Sequence, residues 1–160
     1  MDVKELISSV EGSVREYHNL LDSVKYPETG NMTAGESIQL RELISTIADI
    51  QDEVVSYRLL KILREEHPYI PQIYPERIRR NVKRTSFSIR KIASSFLEQR
   101  KELLRILYTL PSDNWNRTGV HEVEGHVSFK ELVRRMLDKD KEVIGKLIEY
   151  NSKEITGQSH

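Results

Sequence analysis

Few side chains in this chain are equipped for chemistry, and their spacing limits what they can do. Histidines stand at 18, 67, 121, 126 and 160, and there is no cysteine. A disulfide framework, a thiolate nucleophile and every Cys-ligated metal site are therefore excluded. His121 and His126 flank a turn, but their spacing is not a diagnostic metal-ligand pattern, so a structural or exposed role is expected for both. His18 lies beside an apolar helix face, His67 precedes a proline-rich turn, and His160 is terminal. Asp49 and Glu53 fall on one helix face, where paired carboxylates are common and do not by themselves make an acid/base couple. Trp115, following Leu110-Pro111, can cover the core or line a pocket, and packing is the favoured reading. Gly119 and Gly125 read as turn glycines rather than a phosphate cradle, because neither belongs to a Gly-rich strand-to-helix fingerprint. A basic run of Arg77, Arg79, Arg80, Lys83, Arg84, Arg90 and Lys91 can meet phosphates, yet it has no recognition-helix framework or stacking aromatics. A solvated face, or contact with another protein's acidic surface, is the simpler reading of it.

These residues need a scaffold, and the spacing of apolar residues predicts a helical one. Val3, Leu6, Ile7, Val10, Val14, Tyr17, Leu20, Leu21 and Val24 recur at three- and four-residue intervals, one stripe of a helix that Pro27 and Gly30 then stop. A second helix is expected over 37–66, carrying Leu40, Leu43, Ile44, Ile47, Val54, Tyr57, Leu60 and Leu63 and ending before Pro68, Pro71 and Pro75. After a short turn around 76–82, a third is expected over 84–109, with Ile89, Ile92, Ala93, Phe96, Leu103, Leu104 and Leu107 inward and Pro111 beyond it. The fourth starts at Ser128, which with Glu131 forms a capping-box signal, and buries Phe129, Leu132, Val133, Met136, Leu137, Val143, Ile144, Leu147 and Ile148. The expectation is an all-α, single-domain four-helix bundle over 1–150, with 151–160 a flexible tail. With 38% hydrophobic and 31% charged residues, the 160-residue chain can build one core under a well-solvated surface. Its 25 basic and 25 acidic residues balance, which does not favour a nucleic-acid or membrane partner. No apolar run approaches the roughly 20 residues of a membrane span. Met1-Asp2-Val3-Lys4 opens without a secretory apolar segment, and a cytoplasmic location is expected.

From residue 37 onward the chain resembles the DinB/YfiT-like superfamily. The likeness is carried by Leu40-Arg41-Glu42-Leu43-Ile44-Ser45-Thr46-Ile47-Ala48-Asp49-Ile50-Gln51, by Pro68-Tyr69-Ile70-Pro71, and by Leu110-Pro111-Ser112-Asp113-Asn114-Trp115-Asn116-Arg117-Thr118-Gly119-Val120-His121. Gly125-His126-Val127-Ser128-Phe129-Lys130-Glu131-Leu132 and Lys139-Asp140 complete it. The resemblance implies an up-up-down-down bundle, often dimeric, with a metal cradle between helices, in a group that includes thiol-dependent transferases and isomerases. It also implies three ligand histidines, and the positions that match them hold Thr46, Lys139 and Val143.

These substitutions change the chemistry expected of the cradle. Thr46 is a weak neutral ligand, Val143 has no donor, and a protonated ammonium at Lys139 cannot bind a metal. Lys139 can instead contact Asp49 or Glu53 across two helices, or remain solvated without a fixed partner. Asp140, Trp115 and His121 complete the set of possible pocket or charge-contact residues. The leading expectation is a noncatalytic binding or regulatory protein with no metal and no cofactor, a homodimer that can take a small-molecule ligand. The alternatives are a small-molecule or thiol-related transferase using Lys139 without metal, and a nucleic-acid-associated stress protein.

Overall fold

The computed structural model describes residues 2–24, 36–52, 58–71 and 88–158. Helix α1 spans Val3–Ser23 and starts where Asp2 accepts a hydrogen bond from the Glu5 amide at 2.8 Å. This cap satisfies one of the donors that the first helical turn leaves without an intrahelical acceptor. Helix α2 spans Glu36–Ile50 and α3 spans Leu60–Arg64. Wider π-type turns occupy 51–52 and 58–59, so the single helix expected over 37–66 is not regular throughout. Helix α4, Ile89–Thr109, is capped by Ser88, whose hydroxyl accepts from the Lys91 amide at 3.1 Å. Helix α5, Phe129–Gln158, is capped by Ser128 through the Glu131 amide at 3.0 Å. The other half of the expected capping box is diverted: the Glu131 carboxylate turns to Arg134 and Arg135. Helix α5 also runs past the boundary expected at 150. The expected turn at 76–82, Pro27, Gly30, Glu53, and Arg77, Arg79, Arg80, Lys83 and Arg84 lie outside the described residues.

The all-α four-helix reading needs correction, because three short strands form a mixed sheet. Strands β1 (Tyr69–Ile70), β2 (Thr118–His121) and β3 (Gly125–Ser128) lie in that order, β1 parallel to β2 and β2 antiparallel to β3. The first pairing is made by Val120 N–H to Pro68 O at 2.7 Å and Glu122 N–H to Ile70 O at 2.9 Å. Pro68 and Pro71 bracket β1 and lack amide donors, which keeps the strand short. Gly119 lets the strands close: a Cβ there would stand 2.3 Å from Ile70 Cδ1. The hairpin turn then closes on Gly125 at φ 80°, backbone that a glycine adopts without steric cost.

Helix α1 packs against α4 and α5, and α2 packs against α4 and touches α5. Two apolar clusters fill the interior. One joins Leu6, Val10, Val14, Leu103, Leu107 and Leu137 to Ile70, Trp115, Val127 and Phe129 beneath the sheet. The other joins Tyr17, Leu21, Leu40, Ile44, Phe96, Val143, Ile144 and Leu147. The 3₁₀ turn Ser112–Asn116 sets Trp115 edge-on to Phe129, ring centres 5.3 Å apart. Arg117 ties this end to α3: its guanidinium donates to Ile62 O and Glu65 O, both at 2.9 Å, covering carbonyls at the helix terminus. Among the described residues no helix is long and apolar enough to cross a membrane.

Candidate functional site

Along α1 the apolar stripe passes from one cluster to the other between Val14 and Tyr17. On α4 the same crossing lies between Phe96 and Leu103, and on α5 between Leu137 and Val143. Helical periodicity places Arg100 and Asp140 inward at these two crossings. Arg100 is 1% exposed and Asp140 2%. Arg100 Nη1 donates to Asp140 Oδ2 at 2.6 Å, and the Tyr17 hydroxyl donates to Asp140 Oδ1 at 2.8 Å. Arg100 Nε donates to Gln51 Oε1 at 2.8 Å. A polar layer drawn from α1, α4, α5 and the turn after α2 thus separates two apolar halves.

The layer is enclosed by aromatic rings. The guanidinium carbon of Arg100 lies 5.2 Å from the Phe96 centroid and 5.6 Å from that of Tyr17, and the two rings meet edge to face at 4.8 Å. Cation–π attraction therefore supplements the ion pair where water is excluded. Burial, and then the adjacent Asp140 carboxylate, hold the Tyr17 phenol well above the usual tyrosine range, so it remains a neutral donor. Both Asp140 oxygens accept short hydrogen bonds, so the carboxylate is engaged on both sides within the layer. Gln51 Nε2 is buried without an acceptor among the described residues.

The residues singled out by sequence fall into three places. Asp140 is in the polar layer. Trp115 and His121 are buried at the sheet end, where His121 Nδ1 accepts from the Val123 amide at 3.1 Å and the Glu124 amide at 3.2 Å, fixing the hairpin turn. Of the three cradle positions, Val143 is buried in the second apolar cluster and Thr46 is exposed, its hydroxyl donating to Glu42 O at 2.7 Å. Lys139 is exposed and its ammonium lies 3.6 Å from Glu142 on the same helix. Asp140 takes the inward position, and Lys139, about 100° around the helix, points outward. Asp49 is buried at 8% exposure. Arg100, Tyr17 and Gln51 were not recognised as site residues from sequence, although the charged Arg100 at an apolar-stripe position was a readable signal.

A recess of about 270 Å³ opens between α2 and α4 beside this layer, lined by Ala48, Asp52, Lys91, Ile92, Ser95, Phe96 and Gln99. Phe96 forms part of its wall and also touches Arg100, so the recess and the polar layer share a side chain. Its apolar floor and polar rim suit a small amphipathic molecule. Among the described residues no group of three or more His, Cys, Asp or Glu is placed to hold a metal ion. No protein-family model matches this chain, and no curated protein matches it.

Proposed function

We propose that this chain is a noncatalytic binding or regulatory protein, a diverged relative of the DinB/YfiT-like superfamily that works without a metal between its helices. The observation that carries the reading is the closed Arg100–Asp140 pair at the bundle centre. Its carboxylate is already engaged by Arg100 and Tyr17, and Thr46 and Lys139 face outward. Chemistry at Asp140 would require breaking a buried ion pair, whereas binding in the adjacent recess leaves the pair intact. Phe96, Ile92 and Ala48 supply apolar surface there, and Ser95, Gln99, Asp52 and Lys91 supply polar contacts to orient a small molecule. A homodimer joined along α1 and α5 belongs to the same proposal: a shallow groove there is lined by Gly12, Ser13, Leu137, Ile144, Gly145 and the half-exposed Ile148. Sedimentation velocity over a concentration series tests that part, and a monomer at every concentration rejects it.

The test of the binding reading is native mass spectrometry of protein incubated with cell extract, followed by thermal shift with each recovered metabolite. A Ser95→Trp variant, filling the recess from the exposed side of α4, is expected to lose the bound mass and the thermal shift together. Retention of both by Ser95→Trp would remove the recess from the proposal. Turnover of the recovered metabolite by wild type would reject the noncatalytic reading.

A further inference from the structure

The outer face of the sheet brings together two histidines from distant parts of the chain. The register pairs Tyr69 with Val120 and Val120 with His126, so these three side chains share one face. His67 lies two residues before Tyr69, and its ring stands over the same strands. Its centre is 6.0 Å from that of the His126 ring, with the planes at 88°. Both histidines are exposed. His67 Nδ1 lies 3.0 Å from Thr118 Oγ1. Among the described residues His67 alone, apart from glycine, has positive φ, at 45°. A side chain in that conformation is uncommon, and here the β1–β2 pairing and the Thr118 hydrogen bond hold it in place.

From this arrangement we infer that His67 and His126 form a surface site for a divalent transition metal of the zinc, nickel or copper type, with solvent completing the coordination. A metal about 2.0–2.1 Å from a ring nitrogen lies roughly 3.2 Å from that ring's centre. Two rings sharing one ion therefore have centres about 5.2 Å apart at a tetrahedral angle and about 6.4 Å apart when opposed. The observed 6.0 Å falls within that span. Thr118 supplies the outer-shell contact that ligand histidines ordinarily have. In the tautomer whose Nδ1–H donates to Thr118 Oγ1, the His67 lone pair sits on Nε2, the nitrogen that would face the metal. Imidazole nitrogen suits zinc, nickel and copper, while magnesium prefers oxygen ligands. The site is independent of the bundle centre and of the α2–α4 recess, so it stands or falls apart from the binding reading above.

Titration calorimetry of the tag-free full chain with zinc chloride, and with magnesium chloride as the hard-cation control, tests the site. The expected result is one zinc per chain and no magnesium. His67→Asn, which keeps a residue tolerant of positive φ, and His126→Gln are each expected to weaken zinc binding at least about 10-fold, and Thr118→Val about 10-fold. Zinc affinity unchanged in the His67→Asn/His126→Gln double variant would overturn the assignment, as would a loss confined to one of the two histidines. Because a variant can fail to fold, the wild-type chain is also followed by histidine-ring nitrogen NMR. Substoichiometric zinc is expected to shift the ring signals of His67 and His126 together. Movement of only one, or of neither, would equally reject the shared site.

Discussion

Replacing Arg100 with methionine tests whether the polar layer is a coupled buried unit. The substitution keeps an unbranched side chain but withdraws the donor to Asp140 Oδ2 and the donor to Gln51 Oε1. Among the described residues, Asp140, 2% exposed, would retain only the Tyr17 hydroxyl. Breaking a buried pair on one side costs about 3–5 kcal/mol, because an uncompensated charge remains in a medium that solvates it poorly. At about 2–4 °C per kcal/mol for a chain of this size, the midpoint of thermal unfolding should fall by roughly 6–20 °C. Asp140→Leu should be comparably harmful, since it strands the guanidinium. The double variant Arg100→Met/Asp140→Leu removes both charges and should be more stable than either single variant. It leaves the Tyr17 hydroxyl and the Gln51 carbonyl unsatisfied, a residual of about 1–3 kcal/mol per buried group, and adding Tyr17→Phe should recover the first of these. Urea unfolding followed by circular dichroism supplies the free energies for the cycle. A cost below about 1 kcal/mol for Arg100→Met, the range of solvent-exposed pairs, would refute the argument. So would a double variant no more stable than the worse single one.

Three further outcomes follow from the sheet and the start of α5. Gly119→Ala should destabilise the fold by about 1–3 kcal/mol, since its Cβ would fall 2.3 Å from Ile70 Cδ1 and Ile70 is only 1% exposed. Ile70→Val removes that carbon and should soften the effect, so strict additivity in urea unfolding would count against the steric explanation. His121→Phe keeps the buried ring but loses the acceptor for two turn amides, and should speed hydrogen exchange at Val123 and Glu124; unchanged protection there would show that the turn closes without it. Hydrogen bonding from Arg134, reinforced by Arg135, lowers the Glu131 carboxyl from an ordinary 4.5 to about 2. Its contribution to stability is therefore present above about pH 4.5 and lost as the pH falls through about 2. Because the side chain is 35% exposed, the effect should stay under about 1 kcal/mol, and Glu131→Gln should flatten the acid limb of a stability–pH profile between those values.

The helices were legible because their signals are local. Ser128 is three residues from the amide it caps, and the stripes of α1, α4 and α5 repeat within a single turn. The sheet was not legible for the opposite reason. β1 is a two-residue strand between prolines, and its partner β2 lies about fifty positions along the chain, so no periodicity develops that a sequence window can detect. Gly119 reads as a turn glycine when considered alone. Its other role appears only once Ile70 is packed against it, a contact between segments that share no local pattern.

The same contrast explains why the candidate site was half visible. Asp140 drew attention through its neighbours in the Lys139-Asp140 pair, and the expected charge contact was assigned to Lys139. Helix geometry reverses that assignment, because a buried stripe through Met136, Leu137, Val143 and Leu147 leaves 140 inside and 139 outside. Once Asp140 is inward, its charge needs a partner in the interior, and the only stripe position on α4 carrying a cation between Phe96 and Leu103 is Arg100. Two apolar-stripe positions holding opposite charges on different helices thus predict each other. The pairing also constrains how α4 and α5 can slide: a one-turn shift of about 5.4 Å would carry both charges against apolar neighbours. On this argument the layer sets the register of the helices around the recess. The folded Arg100→Met/Asp140→Leu protein should therefore show broadened methyl resonances for Ile92 and Ile144 as alternative registers are populated. Sharp, single resonances for both in that variant would show that apolar packing alone fixes the alignment.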